Sequence, residues 1–251
     1  MEIALKEVSG SFHPLQMTFT RFLAGGLFLI PFAVRTLKKK RASLNWKDLP
    51  GFLLLGFVGM VLSMSIYQMS VKEVPASVVA VLFSSNPIFT AVLAFFMLKE
   101  PIRRNQIAAL LLEIGGILAI INPFHTSLSP YGVLLAMIST LLFAVYGVMG
   151  KRRCARFGGG VVTCGSFLCG GAEMLFMILF SRLPMVNKWL AGSGLELFAN
   201  IPLLSGYSWN TLPWMLMICI VNTGLGFACY FKAMEETSAQ ETSLVFFLKP
   251  V

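Results

Sequence analysis

The chain of 251 residues is 57% hydrophobic and only 12% charged, with a mean hydropathy of +0.79 and a formal net charge of +9. Soluble domains carry about 25% charged residues, so this chain has too few polar side chains to coat a water-soluble globule. The balance excludes a soluble enzyme, a disordered chain and a disulfide-stapled secreted module, and it defines an all-α, multi-spanning membrane protein embedded in a lipid bilayer.

A span needs about 20 mostly apolar residues. In chain order such runs fall at Leu15–Val34, Leu49–Val71, Val74–Leu98, Asn105–Ile121, Tyr131–Gly150, Gly160–Ser181 and Leu212–Phe231, the fourth at the short end. Met1–Ser9 reads as the end of a helix whose beginning is absent, and Thr237–Val251 stops soon after an apolar start. The expectation is therefore seven complete spans with partial helices at either end, a fragment or truncated product of a longer protein. Between the last two runs, Arg182–Thr211 carries Trp189, Leu197, Phe198 and Trp209, which predicts an interfacial helix in a long loop.

The basic residues sit in the short loops, where they act as topology signals rather than as a nucleic-acid surface. Arg35, Lys38, Lys39, Lys40, Arg41 and Lys47 lie on one side, as do Lys99, Arg103, Arg104, Lys151, Arg152, Arg153, Arg156 and Lys232. The other side collects only Lys6, Lys72, Arg182 and Lys188. This bias predicts a multi-pass protein of the cell (plasma) membrane with its basic loops cytoplasmic. The five cysteines form no CxxC pair, so neither a disulfide framework nor a zinc site is expected.

An internal repeat emerges when Gly59–Ile88 is laid over Asn222–Val251 at an offset of 163. Leu62/Leu225, Tyr67/Tyr230, Glu73/Glu236, Ala76/Ala239, Phe83/Phe246 and Pro87/Pro250 are identical pairs. Five spans separate the equivalent helices, and an odd number requires inverted copies, a recurrent construction of secondary transporters. The stretches HPLQMTFTRFLAGGLFLIP, VPASVVAVLFSSNPIFTAVLAFFMLKEPI and NTGLGFACYFKAMEETSAQETSLVFFLKPV together resemble EamA-type proteins of the drug/metabolite transporter superfamily. The first is similar to that family's second helix, the second to its fourth helix and following loop, and the third to its eighth helix and the opening of the ninth.

The resemblance covers essentially the whole chain. It implies two inverted five-helix repeats, 1–122 and 123–251, with the first and ninth helices incomplete and the tenth missing. It also implies ATP-independent transport of small metabolites, with no cofactor and a small-molecule substrate as partner. Amino acids and their derivatives lead by resemblance, with export as the direction. The other class left open is an intramembrane enzyme or a non-transporting scaffold. Against an enzyme, no Walker A or HExxH pattern occurs, His13 and His125 lie far apart, and the single aspartate, Asp48, sits in a basic loop.

The candidate site follows from the interrupted spans. Pro87 and Pro250 lack an amide and free the carbonyls of Phe83 and Phe246. Ser84, Ser85 and Asn86 precede Pro87 in an otherwise apolar run, either lining a substrate path or bonding the freed backbone as a packed kink. Lys249 occupies the repeat-equivalent position of Asn86. An intramembrane lysine marks a functional site, or else an ion pair with Glu113 or Glu173. Tyr67 and Tyr230 are expected to line the walls, and Glu113 and Glu173 are the candidate proton carriers. Arg21 lies about 9 Å into its span and can snorkel outward in a structural role. Gly115, Gly116 and Ala119 offer a small-residue face that suits close helix packing or a homodimer.

Overall fold

The computed structural model describes residues 11–102, 104–121 and 128–248, and these are helical with no strand among them. Among the described residues six helices are long and apolar enough to cross a membrane: α1 (Pro14–Lys40), α2 (Trp46–Glu73), α3 (Ala76–Leu98), α5 (Pro130–Phe157), α6 (Gly159–Ser181) and α8 (Leu212–Glu236). Between α3 and α5 lies the eighteen-residue α4 (Arg104–Ile121). The loop before α8 holds the short α7 (Pro184–Gly192). After α8 come α9 (Ala239–Ser243) and a 3-10 turn, Leu244–Leu248. All seven apolar runs are thus helical, and the loop expected to carry an interfacial helix holds α7, with Met185 and Trp189 exposed.

Local chemistry sets the helix ends. Pro14 and Pro130 stand in the first turns of α1 and α5, where a missing amide costs nothing. His13 Nδ1 accepts the Leu15 N–H at 3.3 Å and caps α1. Arg41 ends α1 in the left-handed region, at φ 50°. Gly158, at φ 89°, makes the one-residue turn between α5 and α6, a conformation that favours glycine.

Three spans are irregular inside. In α3 the helix breaks at Ser85, directly before Asn86 and Pro87. In α2 the segment Phe57–Ser63 is π-helical, and in α8 so is Met217–Leu225. Gly59–Leu62 and Asn222–Leu225, which the repeat alignment superposes, lie in these two wide turns. Such π segments are rare and recur at functional sites.

Glycines let the spans approach closely, as expected where lipid provides no hydrophobic drive for helix association. A Cβ on Gly56 of α2 would stand 2.4 Å from the Gly170 nitrogen of α6, and one on Gly25 of α1 would stand 3.0 Å from the Cys219 carbonyl of α8. By these contacts α1, α2 and α8 gather around α6, while α3 packs on α5. Helix α4 touches only the first half of α3 among the described helices with substantial contact, and Gly115 and Gly116 meet nothing within 4 Å.

Candidate functional site

Where α2, α3, α5, α6 and α8 converge, the core is a continuous set of aromatic rings. Phe83 lies edge-on to Tyr67 with centroids 5.3 Å apart, and Phe246 lies edge-on to Tyr230 at 5.6 Å. These are the same residue pair in each repeat-aligned block. The two phenylalanines meet each other at 6.2 Å, and Phe143 of α5 packs against both, at 5.1 and 5.6 Å. Phe227, Tyr146 and Phe231 extend the set towards α6 and α8. Tyr67 and Tyr230 are half-buried, whereas Tyr146 is fully buried with its hydroxyl 3.1 Å from Ser166 Oγ.

The polar residues at the break in α3 are turned inward and satisfied. Asn86 is fully buried: its Nδ2 donates to the Thr140 carbonyl of α5 at 3.4 Å, and its Oδ1 accepts from Thr90 Oγ1 at 3.1 Å. Ser84 and Ser85 donate to the carbonyls of Val81 and Leu82, both at 2.6 Å. The hydroxyls thus bond the turn before the break and not the Phe83 carbonyl that Pro87 releases. Ser63 and Ser139 exchange hydroxyl-to-carbonyl bonds between α2 and α5, at 2.9 and 2.8 Å. Lys249 and Pro250 lie outside the described residues, and so does the side chain of Glu113.

Buried polar atoms without a hydrogen-bond partner among the described residues include Ser65 Oγ, Glu173 Oε2, Asn222 Nδ2 and Gln240 Oε1. An unmet polar group costs most where water is scarce. Ser65 was invisible in the sequence, being one serine among many; Asn222 stands out there as an amide in an apolar run and sits in the π segment of α8. Arg21 does not snorkel. It is buried, with Nη2 3.2 Å from Met64 Sδ and its guanidinium 4.7 Å from the Phe22 ring centre.

Both ends of the bundle are tied. On the basic-loop side the Glu235 carboxylate of α8 accepts the Gly159 N–H of α6 at 2.9 Å and pairs with Lys40 of α1. Lys151 of α5 donates to the Met234 and Thr237 carbonyls at the end of α8. Arg156 grips Asp48 with two bonds, of 2.7 and 3.3 Å. Glu100 accepts the Ala239 N–H at 3.1 Å and so caps α9. At the opposite end the loop before α8 is strapped to α1. Gln16 Nε2 donates to the Leu203 and Ser205 carbonyls at 3.1 and 2.8 Å, and Thr20 Oγ1 lies 2.5 Å from the Tyr207 hydroxyl.

Six apolar helices of span length, two of them widened by π turns and one broken at Pro87, define a multi-pass membrane protein. The sequence profile of the EamA-like transporter family matches residues 2–122 and again 130–251, and the chain belongs to that family. It is 31% identical to an uncharacterized transporter of Clostridium kluyveri over 247 residues, covering 96% of this chain and 74% of the relative. An uncharacterized transporter of Archaeoglobus fulgidus is 24% identical, over 94% of this chain and 82% of its own. The uncharacterized inner membrane transporter YedA of Escherichia coli is 27% identical, over 86% and 75%. A solved crystal structure shares the fold at 18% identity with a TM-score of 0.73, covering 99% of this chain and 79% of its own. The protein is a membrane transporter of this family.

Proposed function

We propose that the protein is a secondary transporter that exports small organic metabolites, with amino acids and their derivatives as the leading class. In this reading residues 1–122 and 123–251 are inverted halves, the basic loops are cytoplasmic, and the substrate is held at mid-membrane between the two interrupted helices. Asn86, Ser84 and Ser85 sit at one interruption and Lys249 at the other, with Tyr67 and Tyr230 as walls and Glu173 or Glu113 carrying protons. The observation that carries the reading is the matched ring geometry: Tyr67–Phe83 and Tyr230–Phe246 are equivalent pairs, and Phe83 meets Phe246 between them.

Two further features support it. Buried polar groups without partners among the described residues, such as Asn222 Nδ2 and Ser65 Oγ, suit a centre that exchanges bonds with a polar substrate. Ties at both ends suit a closed state between two open ones, which alternating access requires. An ammonium at position 249 would favour a substrate carboxylate or phosphate and disfavour a purely cationic one. Purified protein reconstituted in liposomes tests the reading. Saturable counterflow of an amino acid or derivative without ATP is the expected result, and none across a broad panel counts against it.

A further inference from the structure

Away from the ring cluster, a groove of about 490 Å³ runs between α1 and α2 over the face of α6. Ile30 and Val34 of α1, Leu49 and Phe52 of α2, and Leu168 and Cys169 of α6 are among its walls. Asn45 supplies the one side-chain amide among its lining residues, so it offers little to recognise a polar metabolite. Ile30, Val34 and Leu49 are exposed, which opens the groove sideways along the lipid-facing surface of the spans. A recess there forfeits dispersion contacts on its walls unless something apolar fills it.

The basic-loop end of the groove is chemically different. Ile30, Val34 and Lys38 succeed one another at four-residue steps, and Arg41 follows three later, so the apolar stripe of α1 runs directly into two cations. The left-handed turn at Arg41, closed by the Ala42 N–H on the Leu37 carbonyl at 3.1 Å, brings Leu44, Asn45 and Trp46 to the mouth. Trp46 is 88% exposed, as an interfacial anchor is, and Lys47 follows it. Nearby charges are already committed: Glu235 holds Lys40, and Asp48 is held by Arg156 and by the Asn45 N–H. Lys38, Arg41 and Lys47 are exposed and have no ion-pair partner among the described residues.

We propose that this groove binds an anionic glycerophospholipid, with one acyl chain along Ile30, Val34 and Leu168 and the headgroup phosphate on Lys38, Arg41 and Lys47. The two halves of such a lipid match the two halves of the site. The apolar trough takes a chain, and unpaired cations at the interface attract the negative headgroup. A zwitterionic lipid offers the same chain without net charge, so the site discriminates through its rim.

Trp46 reports on the site directly. A variant with Trp189→Phe, Trp209→Phe and Trp214→Phe leaves it the sole tryptophan, since the chain has four. This protein is reconstituted in phosphatidylcholine vesicles doped with a minor fraction of chain-brominated phosphatidylglycerol, or the same fraction of chain-brominated phosphatidylcholine. Quenching by the brominated phosphatidylglycerol is expected to correspond to roughly fivefold or greater enrichment over its bulk fraction. Lys38→Gln, Arg41→Gln and Lys47→Gln together should lower it to the phosphatidylcholine level. Val34→Phe, at a lipid-exposed position that a larger apolar side chain tolerates, should reduce quenching by filling the groove. Equal quenching by the two lipids in the parent overturns the proposal. So does a preference that survives the triple charge variant, one that Val34→Phe leaves unchanged, or one seen equally in a chain that keeps only Trp209.

Discussion

Gly56→Ala is the sharpest perturbation of the packing that frames the centre. The added Cβ would stand 2.4 Å from the nitrogen and 2.7 Å from the Cα of Gly170, both backbone atoms that no rotamer change can move. Ordinary contact begins near 3.4 Å, so α2 and α6 must part by about 1.0 Å (3.4 − 2.4 Å). A gap of that size removes a quarter to a half of each affected dispersion contact, and overpacking of this kind costs about 1–3 kcal/mol. For a chain of this length that lowers the melting temperature by roughly 2–12 °C. The control is Gly115→Ala on α4, where nothing lies within 4 Å of the new methyl. There the better helix propensity of alanine adds about 1 kcal/mol. The assay is thermal exposure of the buried thiols of Cys154 and Cys164 to a fluorogenic maleimide in detergent, with exposed Cys229 replaced by serine. If Gly56→Ala melts at or above the parent temperature, the close backbone contact of α2 with α6 is refuted.

Glu235→Gln should loosen the basic-loop end, because it weakens the tie of α8 to both Lys40 and Gly159; maleimide labelling of Cys154 in the folded protein should accelerate several-fold, and an unchanged rate contradicts the tie. His13 makes stability pH-dependent: burial first, and then Lys72, hold its pKa below the usual 6.5. The folded state therefore favours the neutral ring, whose Nδ1 caps α1, and this contribution of about 1 kcal/mol is complete above pH 6.5 and lost as the pH falls through the lower folded value. His13→Asn keeps a cap acceptor and should reduce the drop in melting temperature between pH 8 and pH 5, whereas an undiminished drop counts against the cap. Asn86→Ala removes two buried bonds, to the Thr140 carbonyl and from the Thr90 hydroxyl, and should cost about 1–3 kcal/mol while lowering transport. Lys249→Met should abolish binding of an anionic substrate with expression largely intact, and normal transport by that variant would remove Lys249 from the site.

The spans were legible because a bilayer demands long apolar runs, and each of the seven runs is helical here. The pairing of Tyr67 with Phe83, and of Tyr230 with Phe246, was half legible: the repeat alignment equated them, but only the fold brings the two phenylalanines together. The π turns carry no local signal. They depend on tertiary fit, such as Gly59 against the Tyr146 ring, where a Cβ would stand 2.5 Å from Cδ2. Asn86 stood out as an amide alone in an apolar run; its partner Thr90 is one turn on, but Thr140 lies on another helix at a distance no local pattern reveals. Arg21 looked able to snorkel by depth alone, yet the neighbouring helices enclose it beside Met64 and Phe22.

Counterflow reads ATP-independent movement of a small metabolite by this chain without any coupling assumption. Liposomes containing the purified protein are preloaded with an unlabelled amino acid or derivative and diluted into the labelled compound, with protein-free liposomes in parallel. Transient, saturable accumulation of label is expected for at least one compound bearing a carboxylate or phosphate, with its loss in Lys249→Met. Equal label in protein-containing and protein-free liposomes for every compound, from protein whose thermal transition is intact, would contradict it.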